Sequence, residues 1–228
     1  MQNGRQRLAL VLAVLAIGTA AGVARQREGV HPVSGRTYAG TMDVSGASWL
    51  DRLQRDREEA PGQALRIIGL KPGSSVADVG AGSGYFTVRM ARMVGPGGRV
   101  YANDIQQGML DIIGEKVEKA RLDNVTLVLG TQDDPRLPEA SLDLVLMVDV
   151  YHELQAPQTM LQKLHVALKP QGRLVLLEYR AEDPDVPILP LHKMSVATAK
   201  REVEHEGFRL VTVNEDLPWQ HVLIFERK

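Results

Sequence analysis

Hydrophobic positions along the chain follow two alternating periods, and the alternation predicts the fold class. Short apolar runs at Ser75–Val79, Arg99–Asp104, Val125–Gly130, Leu142–Val150 and Arg173–Tyr179 read as strands of the kind buried on both faces. Between them the spacing lengthens to that of a helix. Phe86, Val88, Met90 and Met93 recur at helical intervals, and Met109, Leu110, Ile113, Val117 and Ala120 share one helical face. The stretch 157–170 reads as a helix ended by Lys169 and Pro170, and a further helix is expected over Met194–Phe208. The runs 208–216 and 220–228 are joined only by the turn at Leu217-Pro218-Trp219. So short a link cannot make a parallel crossover, and the chain is expected to finish in an antiparallel hairpin. The whole pattern is α/β: a mostly parallel sheet with helices on both faces and a C-terminal antiparallel β-hairpin.

The start of the chain departs from this alternation. Arg5 and Arg7 precede an uncharged run, Leu8–Ala24, that closes on the small residues Ala20, Ala21, Gly22 and Ala24. Residues 1–24 therefore match a secretory signal peptide, cleaved after Gly22 or Ala24, or an uncleaved membrane anchor. As a helix the run would reach about 25 Å, against roughly 30 Å of bilayer hydrocarbon. The protein is expected to be exported (periplasmic or extracellular) or membrane-anchored, with membrane contact through residues 8–24. Positive charge on both flanks leaves the orientation open. Residues 25–59 read as a linker and N-terminal helical arm. Trp49, Leu50 and Leu53 form an apolar stripe there, which either covers the sheet or closes as a lid over a ligand site. Pro61 suits a first helical turn and Gly69 a helix stop, so the main domain is taken as residues 60–228.

Charge and composition narrow the function classes. The 228 residues carry 27 Lys plus Arg against 28 Asp plus Glu, a net charge of −1. Nucleic-acid binders neutralise phosphates with a basic excess, so no nucleic-acid partner is expected. The absence of cysteine removes disulfides, thiolate nucleophiles and cysteine-ligated zinc together.

Candidate chemistry concentrates in the segment DVGAGSGYF, residues 78–86, between the first strand and its helix. Gly80, Gly82 and Gly84 permit a tight turn that brings backbone N–H groups against a ligand at the helix N-terminus. The dinucleotide pattern fails because Tyr85 stands where its third glycine belongs, and the GK[ST] of a nucleoside-triphosphate loop is absent. Asp78 would repel a pyrophosphate and attract a cation. Asp104 ends the second strand, where a carboxylate can accept both hydroxyls of a ribose; its plainer role would be to cap the following helix. A ribose, positive charge and no phosphate beside Asp78 together describe S-adenosylmethionine.

On these residues, the stretch from about Ala60 to Lys228 resembles the class I S-adenosylmethionine-dependent methyltransferases. The segment LKPQGRLVLLE is similar to the small-molecule, quinone-biosynthesis type. The resemblance implies a Rossmann-like, seven-stranded, mostly parallel sheet, S-adenosyl-L-methionine as cofactor and a small-molecule methyl acceptor. It sets the backbone of Gly80, Ala81 and Gly82 against the methionine moiety, with Gly84 and Tyr85 completing that loop. Asp78 would then hold the amino group, Asp104 the ribose and Ile105 the adenine face. Gly130, Thr131, Gln132 and Asp133 would cover the adenine edge. The family often has Asp where Thr131 stands, which leaves Gln132, Asp133 and Asp134 as alternatives for the adenine amino group.

The fourth strand ends in VDVYHEL, so the resemblance brings Asp149, Tyr151, His152 and Glu153 near the transferred methyl. The [DN]PP[YF] motif of amide and adenine methylation is missing, and cysteine-dependent methylation is excluded. His152 is expected either as a general base or as a pocket-lining residue. Asp149 and Glu178 complete the catalytic candidates, Asp149 also contacting cofactor; Tyr151, His152, Glu178 and His192 are the substrate-pocket candidates. A catechol-type magnesium site would need an Asp-Asn pair where Glu178-Tyr179-Arg180 stands, so no metal is expected. Asp183, Pro184, Pro187 and Pro190 suggest a rigid loop over the cavity. The expected function is methyl transfer to a small molecule. A non-catalytic nucleoside-binding protein and a methyltransferase of envelope proteins are the alternatives.

Overall fold

The computed structural model describes residues 29–228. The leader expected over residues 1–24 lies outside them, and among the described residues no helix is long and apolar enough to cross a membrane. Three short helices come first: α1 (Ala47–Leu50), α2 (Arg55–Glu59) and α3 (Pro61–Ile68). The alternation then runs β1 (Ser75–Val79), α4 (Tyr85–Val94), β2 (Arg99–Asp104), α5 (Gln107–Lys119), β3 (Val125–Leu129) and β4 (Leu142–Val148). It continues with α6 (Pro157–Ala167), β5 (Leu168–Arg180), β6 (Lys193–Met194), α7 (Val196–His205), β7 (Phe208–Asn214) and β8 (Gln220–Arg227). The strand order is β3-β2-β1-β4-β5-β8-β7, with β6 pairing β5 off this path. Strands β1 to β5 are parallel to their neighbours, whereas β8 runs antiparallel to both β5 and β7. This is the Rossmann-like sheet with its terminal hairpin, plus a two-residue eighth strand.

Side-chain parity explains the layers. Val76, Leu144, Leu146, Val175 and Leu177 face α3 and α4 on one side of the sheet. Ala77, Val145, Met147, Leu174 and Leu176 face α6 and α7 on the other. A central strand with no solvent side must be apolar at both parities, which is why these runs read as continuous. Pro61 opens α3 and Gly69 stops it at φ +67, as the sequence predicts.

Several expectations are corrected. The run at 125–130 is not buried on both faces: β3 is an edge of the sheet, leaving Leu127 and Leu129 41% and 40% exposed. The helix expected to run to Pro170 ends at Ala167, because Leu168 already pairs with Leu142 as the start of β5. Gly172 makes this early pairing possible, since a Cβ there would sit 2.7 Å from the Leu142 carbonyl oxygen. The stripe of Trp49, Leu50 and Leu53 is broken between α1 and α2, and Leu53 is 93% exposed.

Residues 29–39 are clamped to α7 by one carboxylate. The Arg36 guanidinium donates to both oxygens of Glu202 at 3.2 and 3.1 Å, and the Ser34 hydroxyl also donates to it. Arg36 donates further to the His152 carbonyl at 2.8 Å, and the Ala39 N–H meets the same oxygen at 3.1 Å. The arm thereby fixes the turn that follows β4. Glu202 is fully buried, so Glu202→Ala is expected to cost about 2–4 kcal/mol by stranding its partners. Urea unfolding measures this; an unchanged midpoint would show that the clamp adds nothing to the fold.

Candidate active site

A cavity of about 350 Å³ opens at the C-terminal ends of β1, β2 and β4. The chain reverses its strand order here, with β2 and β4 flanking β1, and a crevice forms where successive crossovers part to opposite sides. Its floor is bare backbone. Gly80 and Gly82 adopt φ +70 and +53. A Cβ on Gly80 would lie 2.6 Å from Val150, and one on Gly82 would lie 2.7 Å from Leu50. Asp104 Oδ2 accepts the Gly82 N–H and Oδ1 the Gln106 N–H, both at 2.9 Å. It therefore braces the glycine loop and the entry to α5, while each oxygen keeps a second lone pair. Burial raises its pKa, and the backbone donors of Gln106 and Gly82 oppose the rise.

Along the wall stands Asp149, a non-glycine residue at φ +54. Its N–H is tied to the Leu177 carbonyl at 2.8 Å and its Oδ2 accepts from Gln220 Nε2 at 2.7 Å. Its Oδ1 is buried without a hydrogen-bond partner. Burial first, and then the negative charges of Glu59 and Glu178, push the carboxyl well above its ordinary pKa. A left-handed backbone and a half-satisfied carboxylate are costly to keep, and such costs gather at ligand sites. Behind this wall the fully buried Glu59 accepts from Arg55 at 2.7 Å, Arg52 at 2.9 Å and the Tyr179 hydroxyl at 2.9 Å.

The opposite end of the cavity is built on a buried dyad. His152 Nδ1 lies 2.6 Å from Glu178 Oε2, and Glu178 Oε1 accepts the Tyr151 N–H at 2.9 Å. His152 Nε2 then points away from the dyad, 3.1 Å from His192 Nδ1. Burial pushes the neighbouring Glu153 up to about 7, with His152 opposing.

Residues 76–172 match the model of a methyltransferase domain. The chain is 27% identical over 153 residues to a demethylmenaquinone methyltransferase of Geobacillus sp. (strain WCH70), covering 67% of this chain and 64% of that protein. It is 32% identical over 114 residues to the Geobacillus stearothermophilus protein of the same name, covering 50% and 49%. The chain thus spans about half to two thirds of the length of the curated relatives it matches. Among solved structures, a SAM-dependent methyltransferase from Aquifex aeolicus is similar at TM-score 0.77 and 30% identity, covering 81% of this chain and 98% of that one. The chain belongs to the class I S-adenosylmethionine-dependent methyltransferases.

The cavity's donor set fits this methyltransferase cofactor. Asp104 keeps lone pairs for a ribose, Gly80 and Gly82 present backbone to the cavity, and the unpartnered Asp149 Oδ1 suits a cationic ligand. Of the residues singled out by sequence, Gly80, Gly82, Asp104 and Ile105 line the cavity. Gln132, Asp149, His152 and His192 line it as well.

Others are placed elsewhere. Tyr85 lies outside, its hydroxyl on Asp56 and its ring 3.8 Å from the Arg89 guanidinium carbon. Asp133 is exposed and accepts from the Thr131 hydroxyl at 2.6 Å. Asp134 accepts the Arg136 N–H at 2.8 Å, so Gln132 is the member of that trio on the cavity. Ala81 is off the lining, and Gly84 serves packing, since a Cβ there would meet Ile113 at 2.9 Å. Asp78 is buried beyond the floor and accepts from the Thr87 hydroxyl at 2.6 Å. Tyr151 is fully buried with its hydroxyl toward His31, and Glu178 stands behind His152. Sequence reasoning missed Arg55 and Tyr179 on the lining. The i,i+4 spacing of Arg55 and Glu59 was the available signal.

Two measurements follow from this geometry. Asp104→Ala removes the candidate ribose acceptor and a brace of the glycine loop, and is expected to weaken S-adenosylmethionine binding by about thirty- to several-hundred-fold. Calorimetry on a variant that melts normally checks it; a change within about twofold would remove Asp104 from the ribose. Asp78 is raised by burial to about 6 from 3.8. The folded protein therefore holds a proton that the unfolded chain releases, and Asp78's contribution to stability falls as pH rises from about 4 to 6. Asp78→Asn should match wild type near pH 4 and exceed it by about 2–3 kcal/mol above pH 6, in urea unfolding without cofactor. A pH-independent difference would place the raised pKa elsewhere.

Proposed function

We propose that this methyltransferase methylates a small, apolar ring acceptor bearing an ionisable hydroxyl, of the quinone-related chemistry for which its curated relatives are named. One observation carries the reading. Beside the cofactor features, the same cavity has an apolar lining of Leu50, Met109, Val150, Leu154, Met160 and Ile188, with His152 among its polar residues, and this lining is the acceptor's chamber. An apolar body fits the chamber and a polar handle meets the imidazole. When bound, S-adenosylmethionine supplies an electrophilic sulfonium methyl. Gly80, Gly82 and Asp104 hold the cofactor, Asp149 faces its cationic part, and Gln132 borders the adenine.

His152 activates the acceptor's hydroxyl, and Glu178 is its positioning residue, fixing the tautomer and ring plane. Pro187, Ile188 and Leu189 border the cavity, and alignment of acceptor and methyl does most of the catalysis. Thr41, Met42, Trp49, Leu50 and Arg55 also line the cavity, so residues 29–59 and 60–228 act as one binding unit. Trp49 and Leu189, 40% and 71% exposed at the cavity, suit a lipid-like acceptor. With the apolar run 8–24, they support a chain anchored at or directed to a membrane.

The test is mass spectrometry of a quinol panel incubated with the protein and deuterated-methyl cofactor, expecting a labelled product. His152→Ala should lower turnover by about 10²–10⁴ while cofactor affinity stays within about twofold. No labelled quinol anywhere in the panel, or full activity in His152→Ala, would overturn the reading.

A further inference from the structure

Three ligand atoms converge where the chamber ends. His152 Nε2 and His192 Nδ1 are 3.1 Å apart, and Glu153 Oε1 is 3.9 Å from the first and 3.8 Å from the second. The two longer separations lie beyond hydrogen-bond reach. A circle through the three atoms has a radius of about 2.1 Å, so a point equidistant from them lies at zinc-ligand distance from each. We propose that His152, Glu153 and His192 form a site for a divalent transition-metal ion, whose open position takes the hydroxyl oxygen of the acceptor. This rests on the methyl-transfer reading above and names the means by which His152 activates the acceptor.

The surroundings are those of a built site. Glu178 binds His152 Nδ1 at 2.6 Å, and a carboxylate on the far nitrogen is how proteins direct the other nitrogen's lone pair to a metal. All the parts hang on rigid elements. His152 and Glu153 share the 3₁₀ turn that Arg36 and Ala39 pin, and Glu178 is on β5. His192 directly precedes β6, whose Lys193 is in register with Tyr179 of β5. Two imidazoles and one carboxylate are the donor set of open catalytic zinc and related ions. All three residues line the cavity, so the remaining position faces the chamber. The site is distinct from the magnesium arrangement that Glu178-Tyr179-Arg180 excludes. There the acceptor would bind as its oxyanion, the hydroxyl proton passing to water, with no change in the metal's oxidation state.

Chelator-treated full-length protein is titrated with Co²⁺ as a spectroscopic probe and with Zn²⁺ in competition, and cofactor binding is followed separately by calorimetry. We expect one equivalent of Co²⁺ with visible bands of low coordination number, displaced by Zn²⁺. His192→Ala and Glu153→Gln should each weaken it by tenfold or more, and Glu178→Gln by about 10–100-fold, in variants that melt like wild type. No such bands, or equal affinity in His192→Ala, would overturn the metal site. Full turnover of a quinol by the metal-free protein would overturn the site and leave the methyl-transfer reading standing. Metal and cofactor binding with no methylated acceptor would overturn the methyl-transfer reading instead.

Discussion

Buried negative charge at the C-terminal end of the sheet is the constraint around which the rest of the molecule is arranged. Asp78, Asp104, Asp149, Glu59 and Glu178 all reach this region with at most 5% exposure, except Asp149, whose Oδ1 is nonetheless shielded from water. Charges removed from water must be compensated locally, and each is answered differently. Glu59 has two arginines, Glu178 a histidine and an N–H, and Asp104 two backbone N–H groups. Asp149 has a single amide donor, and Asp78 is answered by hydrogen bonds from Thr87 alone. On the cavity lining the compensation is thinnest at Asp149, whose Oδ1 has no partner. The cavity wall is thus electrostatically incomplete at Asp149, where a cationic ligand group would complete it.

Much of this was legible in the chain because local rules and global fold agree. The positive-φ glycines, the carboxylate at the end of β2 and the apolar parity of β1, β4 and β5 each follow from local sequence. Position within the sheet does not. Val125–Leu129 reads like a central strand, and only the order of pairing leaves Leu127 exposed. The same holds for residues flanking the glycine loop. Tyr85 begins a helix, and its first turn faces Asp56 on α2, which no spacing rule connects to residue 85. Arg55 and Tyr179 reach the cavity through a contact between the arm and β5, spanning more than half the domain.

The N-terminal arm is more than a cover. Glu202 on α7 holds Arg36, and Arg36 holds the carbonyl of His152, so this cavity-lining histidine is fixed through a helix distant from it in sequence. A second support comes from below through Glu178. Imidazole placement within a fraction of an ångström needs such bracing from independent elements.

The insertion of β8 between β5 and β7 has a consequence for synthesis. A ribosome delivers β1 to β5 first, and β5 is then left with one long apolar edge unpaired until residues 220–227 emerge. Gln220, the donor to Asp149, arrives in that same late segment. A nascent chain stopped before it carries an open strand edge and an Asp149 carboxylate without its amide donor at once. The cofactor end of the molecule is therefore among the last parts to mature, and an interrupted translation product would be prone to aggregate and unable to assemble its wall.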